Sequence, residues 1–200
     1  MTRPRGLFVV LEGPDKSGKS TQARRLAEAL RARGLTVLHT REPGGTSVAE
    51  GVRAVLLNPQ LTIDPVAELF LYEASRAQHV AEKIRPALAR GETVVCERFT
   101  MSTDAYQGVA RGLGLKTTRT LNAVATGGLK PDLTIVLDIP VDEFDSRDQK
   151  RALDRLEREH VSFRVAVRKG YRALAKAPKT VLIDATKPAE EIHRIILSKI

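Results

Sequence analysis

The eight-residue segment GPDKSGKS, residues 13–20, has glycines, a lysine and a hydroxyl at the spacing G-x-x-x-x-G-K-[ST]. Gly13 and Gly18 carry no Cβ atom, so the backbone can turn tightly and approach a ligand closely. Successive backbone N–H groups in such a turn point inward and bind an anion. Lys19 can reach the β- and γ-phosphates of a nucleotide, and Ser20 can ligate Mg²⁺. The predicted phosphate-binding residues are Gly13, Lys16, Ser17, Gly18, Lys19, Ser20 and Thr21.

The residues on either side of this loop match the context that it requires. The apolar run LFVVL, residues 7–11, predicts a buried strand before the loop. The segment TQARRLAEALRARG, residues 21–34, has apolar residues at helical spacing and a glycine where the helix should stop. The N-terminus of that helix would face the phosphates, where the helix dipole favours negative charge.

Five short apolar runs rich in β-branched residues recur along the chain, at 7–11, 37–40, 93–96, 133–139 and 180–183. Helical patterns lie between them, and this alternation predicts an α/β fold in which helices cover both faces of a five-stranded parallel sheet. Such a three-layer arrangement with a phosphate-binding loop is that of the P-loop NTPases. The longest helical pattern begins near Asp64 and Pro65, and Pro86 is expected to kink or divide it.

The bulk composition limits the classes of protein that fit. A chain of 200 residues with 42% apolar residues suits one domain, residues 1–200. Cys96, the single cysteine, lies in an apolar run and is expected to be a buried core thiol. No apolar stretch is long enough to cross a membrane and the N-terminus does not resemble a cleaved signal, so we expect no membrane partner and a cytoplasmic location. The net charge is +9, but scattered basic residues and only 4% aromatic residues argue against nucleic acid as a partner.

In open parallel sheets, ligands bind at the carboxyl ends of the strands. The segment TREPGGT, residues 40–46, follows the second predicted strand, and its Arg41 could bind a second phosphate or could be an incidental surface charge. The segment ERFTMSTDAYQG, residues 97–108, follows the third. Glu97 could hold the Mg²⁺ shell or orient an acceptor, or could be a charge at a helix N-terminus. Ser102, Tyr106 and Gln107 offer the hydroxyl and amide groups that read a sugar and a base.

Taken together, these segments resemble the thymidylate kinase family. The matching pieces, in chain order, are EGPDKSGKSTQ, TREPGGTSVAEGVRAVLL, ELFLYEASRAQHV, ERFTMSTDAYQGVARGLG, LKPDLTIVLDIP, LDRLE and FRVAVRKGYRALA. The resemblance spans nearly the whole chain and implies the nucleoside monophosphate kinase fold with a lid segment at about 142–157. It also implies phosphoryl transfer from ATP to dTMP, a step toward dTTP, with Mg²⁺ and in a homodimer.

The resemblance assigns the base and the sugar of dTMP to particular side chains. Phe70 would stack on thymine, and Arg76 and Gln107 would bond to its edge. Tyr106 would lie under the deoxyribose and disfavour a 2′-hydroxyl, and Ser102 would lie beside the base.

The resemblance likewise assigns the acceptor phosphate. Arg41 and Arg98 would bind the phosphate of dTMP, and Asp15 would contact the 3′-hydroxyl or help to position the acceptor. Glu42 and Pro43 would belong to the same site, and the peptide bond between them is a candidate for the cis state.

Two departures from the family pattern concern the metal and the catalytic cation. Glu97 stands where the family commonly has an aspartate, which puts its role as a metal ligand beside Ser20 in doubt. Lys16 stands where some members have an arginine, whereas other members carry arginines in the lid. We expect Arg151 to be the main bridging cation with Lys16 assisting, because arginine supplies a bidentate fork. The candidate lid cations are Arg147, Lys150, Arg151 and Arg155, and the candidate catalytic residues are Lys19, Arg98, Asp15, Lys16 and Arg151.

Three other functions fit parts of the sequence. Another deoxynucleotide or deoxynucleoside kinase of the same fold would differ only in its base contacts. A regulatory P-loop NTPase is less consistent, since the N-K-x-D motif of a GTPase is missing. A basic nucleic-acid-binding module is the third alternative.

Overall fold

Five parallel strands form the central sheet of the computed structural model, which describes residues 5–147 and 152–200. The strands are β1 (Phe8–Glu12), β2 (Val37–Arg41), β3 (Thr93–Glu97), β4 (Leu133–Asp138) and β5 (Thr180–Asp184). Their order in the sheet is β2-β3-β1-β4-β5. Each strand corresponds to one predicted apolar run, so the predicted five-stranded parallel sheet is confirmed.

Helices connect consecutive strands and cover both faces of the sheet. They are α1 (Lys19–Ala32), α2 (Ser47–Leu57), α3 (Pro65–His79), α4 (Arg85–Ala89), α5 (Thr100–Thr103), α6 (Leu115–Thr126), α7 (Glu143–Ser146), α8 (Val161–Leu174) and α9 (Ala189–Leu197). Two further segments, Val80–Ile84 and Asp104–Ala110, have the wider π-helical turn.

The alternation of side chains along β1 explains the two layers of helices. Val9 and Leu11 are fully buried in a core that includes α1 and α9. Phe8 and Val10 point the other way, into a core formed with the 80–89 segment. Because successive side chains of a strand face opposite sides, a strand that is apolar throughout is buried on both faces. The phosphate-binding loop, which leaves β1 at Glu12, therefore starts from a rigid support.

The long helical pattern changes its turn at Pro86 rather than ending there. In the π-helical segment before it, the N–H of Arg85 bonds to the carbonyl of Val80, five residues back. Proline has no N–H and clashes with the carbonyl four residues earlier in a regular α-helix. The wider turn accommodates both effects, as π-helical turns do inside α-helices. The sequence predicts that Pro86 kinks or divides the pattern; the helical residues run on through it, and the wider turn at Val80–Ile84 separates α3 from α4.

The single cysteine is part of the core. Cys96 is fully buried on β3, and its burial raises the pKa of the thiol well above the usual range. The prediction of a buried core thiol is confirmed. Within the described ranges, every helix is too short or too polar to cross a bilayer.

Candidate active site at the carboxyl ends of the strands

A cleft of about 580 Å³ opens where β1, β2 and β3 end. The loop after β1 forms one wall, and the segments after β2 and β3 form the other. The structure brings most of the predicted site residues to this cleft. Those that line it are Asp15, Lys16, Gly18, Lys19, Ser20, Thr21, Arg41, Glu42, Pro43, Glu97, Arg98, Ser102, Tyr106, Gln107 and Arg147.

The phosphate-binding loop has the backbone that its glycines predict. Gly13 has a φ of 136°, and a Cβ atom there would lie 2.3 Å from the carbonyl oxygen of Leu137. Gly18 has a φ of 89° and begins α1, so the N-terminus of that helix faces the cleft. Gly13 and Ser17 belong to the loop but do not line the cleft. The predicted loop-to-helix geometry is therefore present.

The ammonium group of Lys19 is held against the loop itself. Its Nζ atom donates to the carbonyls of Gly13 and Pro14 over 3.1 and 2.6 Å, and to the Oγ atom of Ser17 over 3.3 Å. Burial, followed by the nearby positive charge of Arg98, lowers the pKa of Lys19 to about 7. A phosphate bound in the loop would favour the protonated form, since an opposite charge stabilises an ammonium ion.

Ser20 and Glu97 form an oxygen pair opposite this lysine. The hydroxyl of Ser20 donates to Oε2 of Glu97 over 2.5 Å, and Nε2 of His39 lies 3.0 Å from Oε1. Burial would raise the pKa of Glu97, but the hydrogen bonds from His39 and Ser20 and the charge of Lys19 outweigh it, so the pKa is lowered. The longer side chain of glutamate therefore still reaches the hydroxyl of Ser20, and its role as a metal ligand stays a prediction.

Arg98 links the two walls of the cleft. Its backbone has a φ of 66°, the left-handed conformation that turns the chain sharply at the end of β3. Its Nη1 atom donates to the carbonyl of Gly13 over 3.2 Å and to Ser102 over 3.1 Å, and its Nη2 atom bonds to Asp15. The guanidinium group is therefore fixed beside the phosphate-binding loop, where it can meet a second anion.

Asp15 is the carboxylate partner of Arg98 in the loop. Its Oδ2 atom also accepts a hydrogen bond of 2.6 Å from the hydroxyl of Tyr106. Burial would raise the pKa of Asp15, but the positive charges of Arg98 and Lys19 outweigh it and the pKa is lowered. Asp15 therefore presents a charged acceptor next to the two cations.

A buried carboxylate that sequence reasoning missed supports this arrangement. Glu12 is fully buried and accepts hydrogen bonds from the backbone N–H of Phe99, the hydroxyl of Ser102 and the hydroxyl of Tyr171, at 2.8, 2.6 and 3.0 Å. Burial raises its pKa despite these bonds and the charge of Arg98. Glu12 joins β1 to the start of α5 and so fixes the backbone that follows Arg98.

Arg76, predicted to bond to the edge of the base, lies just behind the surface of the cleft. It is 2% exposed and does not line the cleft. Its guanidinium group donates to Glu42, Glu73, Thr103, Asn122 and the carbonyl of Phe99, at 2.7–3.0 Å. Glu42 and Thr103 do line the cleft. These bonds place the guanidinium group behind the wall of the cleft, which it supports through Glu42 and Thr103, and its bond to the edge of a base stays a prediction.

Phe70 is likewise not a residue of the cleft. It is 57% exposed on α3, whereas Tyr72, two residues later, lines the cleft. Residues i and i+2 of an α-helix are about 200° apart around its axis, so these two rings point to opposite sides of the helix. Tyr72 is four residues before Arg76 and shares its face of the helix. The prediction that Phe70 belongs to the cleft is therefore wrong, and Tyr72 is the aromatic residue of α3 that lines it.

The segment predicted to be a lid, residues 142–157, is described only in part. Arg147 lines the cleft, and its Nη2 atom bonds to Glu143 over 2.6 Å and to the carbonyl of Ala185 over 2.9 Å. Lys150 and Arg151 lie outside the described residues. Arg155 is predicted as a lid cation, but its side chain points into the protein and away from the cleft. Its Nε atom donates to the carbonyl of Leu56 over 2.8 Å, and its Nη2 atom lies 2.7 Å from Glu68.

One further arginine of the cleft was missed by sequence reasoning. Arg53 on α2 lines the cleft and donates to the carbonyl of Pro43 over 2.9 Å. The Glu42–Pro43 peptide bond is cis, as anticipated. Burial and the charge of Arg41, which lines the same cleft, lower the pKa of Arg53. The helical spacing of α2 gives no signal for this residue, because a lone arginine on a helix is ordinarily a surface charge.

A family model, related sequences and a solved structure all place the chain in the same family. A sequence model of the family described as "Thymidylate kinase" matches residues 11–196. The chain is 50% identical over 195 residues to a thymidylate kinase of Pseudomonas fluorescens, covering 96% of this chain and 93% of the relative. It is 47% identical over 191 residues to one of Deinococcus radiodurans, covering 94% and 93%. The crystal structure of a thymidylate kinase from Ehrlichia chaffeensis is similar with a TM-score of 0.80 at 32% identity, over 98% of each chain.

Proposed function

Because the chain belongs to the thymidylate kinase family, we propose that it transfers the γ-phosphoryl group of ATP to dTMP in the cleft described above, giving ADP and dTDP. One observation carries the assignment of the site. Lys19 from the loop and Arg98 from the end of β3 donate to the same atom, the carbonyl oxygen of Gly13, over 3.1 and 3.2 Å. The two cations thus meet at one point from opposite walls, and two phosphate groups bound to them would meet there as well.

The chemistry of such a transfer needs positioning and charge neutralisation more than covalent catalysis. An oxygen of the dTMP phosphate is already an anionic nucleophile, so the step forms a bond from that oxygen to the γ-phosphorus and breaks the bond between γ-phosphorus and the bridging oxygen of ADP. Lys19 and the N–H groups of the loop would bind ATP. Arg98 and Arg41 would bind the acceptor, and Arg53 lies near enough to join them.

The base and the sugar of dTMP would occupy the wall formed by α3 and the 100–110 segment. Tyr72 offers an aromatic face, and Gln107 offers an amide. The π-helical turn at Asp104–Ala110 places both Tyr106 and Gln107 on the cleft side, although they are adjacent in sequence. Asp15, held by Arg98 and Tyr106, would meet the sugar or the acceptor phosphate.

Magnesium fits the oxygen pair at Ser20 and Glu97. A hydroxyl and a charged carboxylate 2.5 Å apart are hard oxygen donors of the kind that Mg²⁺ prefers, together with substrate phosphates. Among the described residues, no cluster of three or more His, Cys, Asp and Glu side chains could hold a metal alone. We propose that Ser20 and Glu97 hold the ion, which supplies neutralisation of the charge on the β- and γ-phosphate oxygens.

The bridging cation is proposed to come from the loop and the lid together. Lys16 lines the cleft, with its Nζ atom 4.3 Å from the centre of the Phe144 ring on α7. Arg147 lines the same cleft from the segment after α7. Arg151 remains our proposal for the main lid cation, and residues 142–157 for the lid of a single domain.

Assembly as a homodimer and a cytoplasmic location are proposed from the same family membership. The outer face of α3 and the turn after it supports the dimer. Val66, Phe70 and Ala74 are exposed at successive intervals of four residues, Ala81 is exposed seven residues further on, and together they form an apolar stripe. A second copy that covers this stripe would remove it from water and would account for the exposure of Phe70.

The direct test is the release of ADP with dTMP, dUMP, dCMP and dGMP assayed side by side. We expect ADP release to depend on an added acceptor and dTMP to give the highest kcat/KM. ADP release without an acceptor would favour a regulatory NTPase, and preference for another nucleotide would favour a different kinase of the same fold.

A further inference from the structure

Glu68 is a fully buried carboxylate on α3. It does not line the cleft itself but contacts side chains that do. Its Oε1 atom accepts a hydrogen bond of 2.7 Å from Nε2 of Gln107 and a longer one of 3.3 Å from Nε of Arg111. Its Oε2 atom accepts from Nη2 of Arg111 over 3.1 Å and lies 2.7 Å from Nη2 of Arg155. Two guanidinium groups therefore balance the charge of this buried group, as a buried carboxylate requires.

The bond to Glu68 fixes the orientation of the Gln107 amide. A carboxylate ion only accepts hydrogen bonds, so the NH₂ group of Gln107 must face Glu68. The amide oxygen must then point elsewhere. Gln107 lines the cleft, and no described residue donates a hydrogen bond to its Oε1 atom. This oxygen is the atom that remains for a ligand.

The orientation of an amide has a direct meaning for a pyrimidine. An amide presents an acceptor and a donor side by side. In one orientation these complement the N3–H and the C4 carbonyl of thymine. After a flip, they complement N3 and the C4 amino group of cytosine. We infer that Glu68 is a positioning residue for substrate specificity, which fixes the amide of Gln107 so that the site selects thymine over cytosine. The inference rests on the proposed function, because it requires the base of dTMP to lie against Gln107.

The sharpest variant is Glu68→Gln. The Nη2 atoms of Arg111 and Arg155 are donors only and both face the Oε2 position, so the oxygen of the introduced amide would take that position. Its NH₂ group would then face Gln107 and favour the flipped orientation. We expect the ratio of kcat/KM for dTMP to kcat/KM for dCMP to fall by about tenfold or more. The ratio of dTMP to dUMP should not change, because both bases carry N3–H and a C4 carbonyl.

Glu159→Gln is the matched control. The Oε1 atom of Glu159 lies 2.6 Å from Nη2 of Arg111, so this variant also removes one carboxylate charge beside that arginine. Glu159 has no contact with Gln107 among the bonds that the structure shows. We expect its dTMP to dCMP ratio to equal that of the unmodified protein. Thermal unfolding of each variant shows whether the fold is retained.

A second variant covers the case in which Glu68→Gln does not fold. Glu68→Asp retains the charge that Arg111 and Arg155 need but shortens the reach toward Gln107. It should also lower the dTMP to dCMP ratio of kcat/KM, because the amide of Gln107 loses its bond to residue 68 and can take both orientations.

A double-mutant cycle separates positioning from a general structural effect. The Gln107→Leu, Glu68→Gln double variant should have the same ratio of kcat/KM for dTMP to kcat/KM for dCMP as the Gln107→Leu single variant. If the unmodified protein prefers dTMP but Glu68→Gln and Glu68→Asp keep its ratio, or if the effect persists in the Gln107→Leu background, the inference about Glu68 is overturned. If the unmodified protein does not prefer dTMP, the proposed function itself fails.

Discussion

The hydroxyl of Ser20, in the first turn of α1, donates a 2.5 Å hydrogen bond to Oε2 of Glu97, the last residue of β3. The bond joins the phosphate-binding loop to the opposite wall of the cleft. It brings together the two oxygen donors that we propose for Mg²⁺, and it does so although Glu97 is longer than the usual aspartate.

The first prediction concerns this pair. Glu97→Gln should raise the Mg²⁺ concentration needed for half-maximal activity by about tenfold to a hundredfold, because it removes the charge of a proposed ligand. Glu97→Asp is the matched control and should stay closer to the unmodified protein. The measurement is the rate of dTDP formation as a function of Mg²⁺ concentration. An unchanged Mg²⁺ dependence in Glu97→Gln would exclude Glu97 from the metal site.

The second prediction concerns the pH dependence of ATP binding. Since burial and Arg98 lower the pKa of Lys19 to about 7, most molecules carry a neutral Lys19 above that pH in the absence of nucleotide. Phosphate anions favour the protonated form, so binding must raise the pKa and take up a proton. We expect calorimetry at pH 8, in two buffers with different ionisation enthalpies, to show net proton uptake on ATP binding. Affinity for ATP should fall as pH rises from 7 to 9, and proton release on binding would be the opposite of this account.

The third prediction separates the two aromatic residues of α3. Tyr72→Ala should raise the KM for dTMP by about tenfold to a hundredfold, the range found when an aromatic ring that stacks on a base is removed. Phe70→Ala serves as the control and should leave this KM unchanged, because Phe70 is 57% exposed on the other side of the helix. Steady-state kinetics with dTMP at saturating ATP makes the comparison. The reverse pattern would restore Phe70 as the stacking residue.

The fourth prediction assigns Phe70 to self-association. Phe70→Asp places a charge in the exposed apolar stripe of α3 and should shift the protein from dimer to monomer. Sedimentation velocity measures the change, and circular dichroism shows whether the fold is kept. Val124→Asp is a suitable control, since Val124 is exposed on α6 outside this stripe. A Phe70→Asp protein that sediments like the unmodified one would place the interface elsewhere.

The fifth prediction concerns the bridging cation. Lys16→Met and Arg151→Met should each lower kcat more than they raise KM, since the interaction forms in the transition state. Loss of one such group typically costs about a hundredfold to a thousandfold in kcat, and we expect the larger effect from Arg151→Met. Equal and small effects of both changes would leave Arg147 as the remaining candidate.

The strands and the loop could be predicted because their signals are local. Each apolar run is short and bounded by turn residues, and the spacing of Gly13, Gly18 and Lys19 has one geometric meaning. The ends of parallel strands meet at one edge of the sheet, so Arg41 and Arg98 could be expected to lie in the same cleft without further information.

The remaining site residues depend on contacts that the sequence does not encode locally. Arg155 turns inward because a buried carboxylate, Glu68, lies 87 positions earlier in the chain and accepts it. Glu12 is buried against Tyr171, 159 positions away. The spacing within α3 does separate the two aromatic residues: Tyr72 and Arg76 are four residues apart and share a helical face, whereas Phe70 and Arg76 do not.

The central claim is that two anionic nucleotides meet between Lys19 and Arg98. A crystal structure of the protein with dTMP and a non-hydrolysable ATP analogue tests it most directly. We expect the γ-phosphate at Lys19, the dTMP phosphate at Arg98 and Arg41, and the acceptor oxygen about 3–3.5 Å from the γ-phosphorus. A dTMP molecule bound outside the cleft, or with its phosphate directed away from both arginines, would contradict the account.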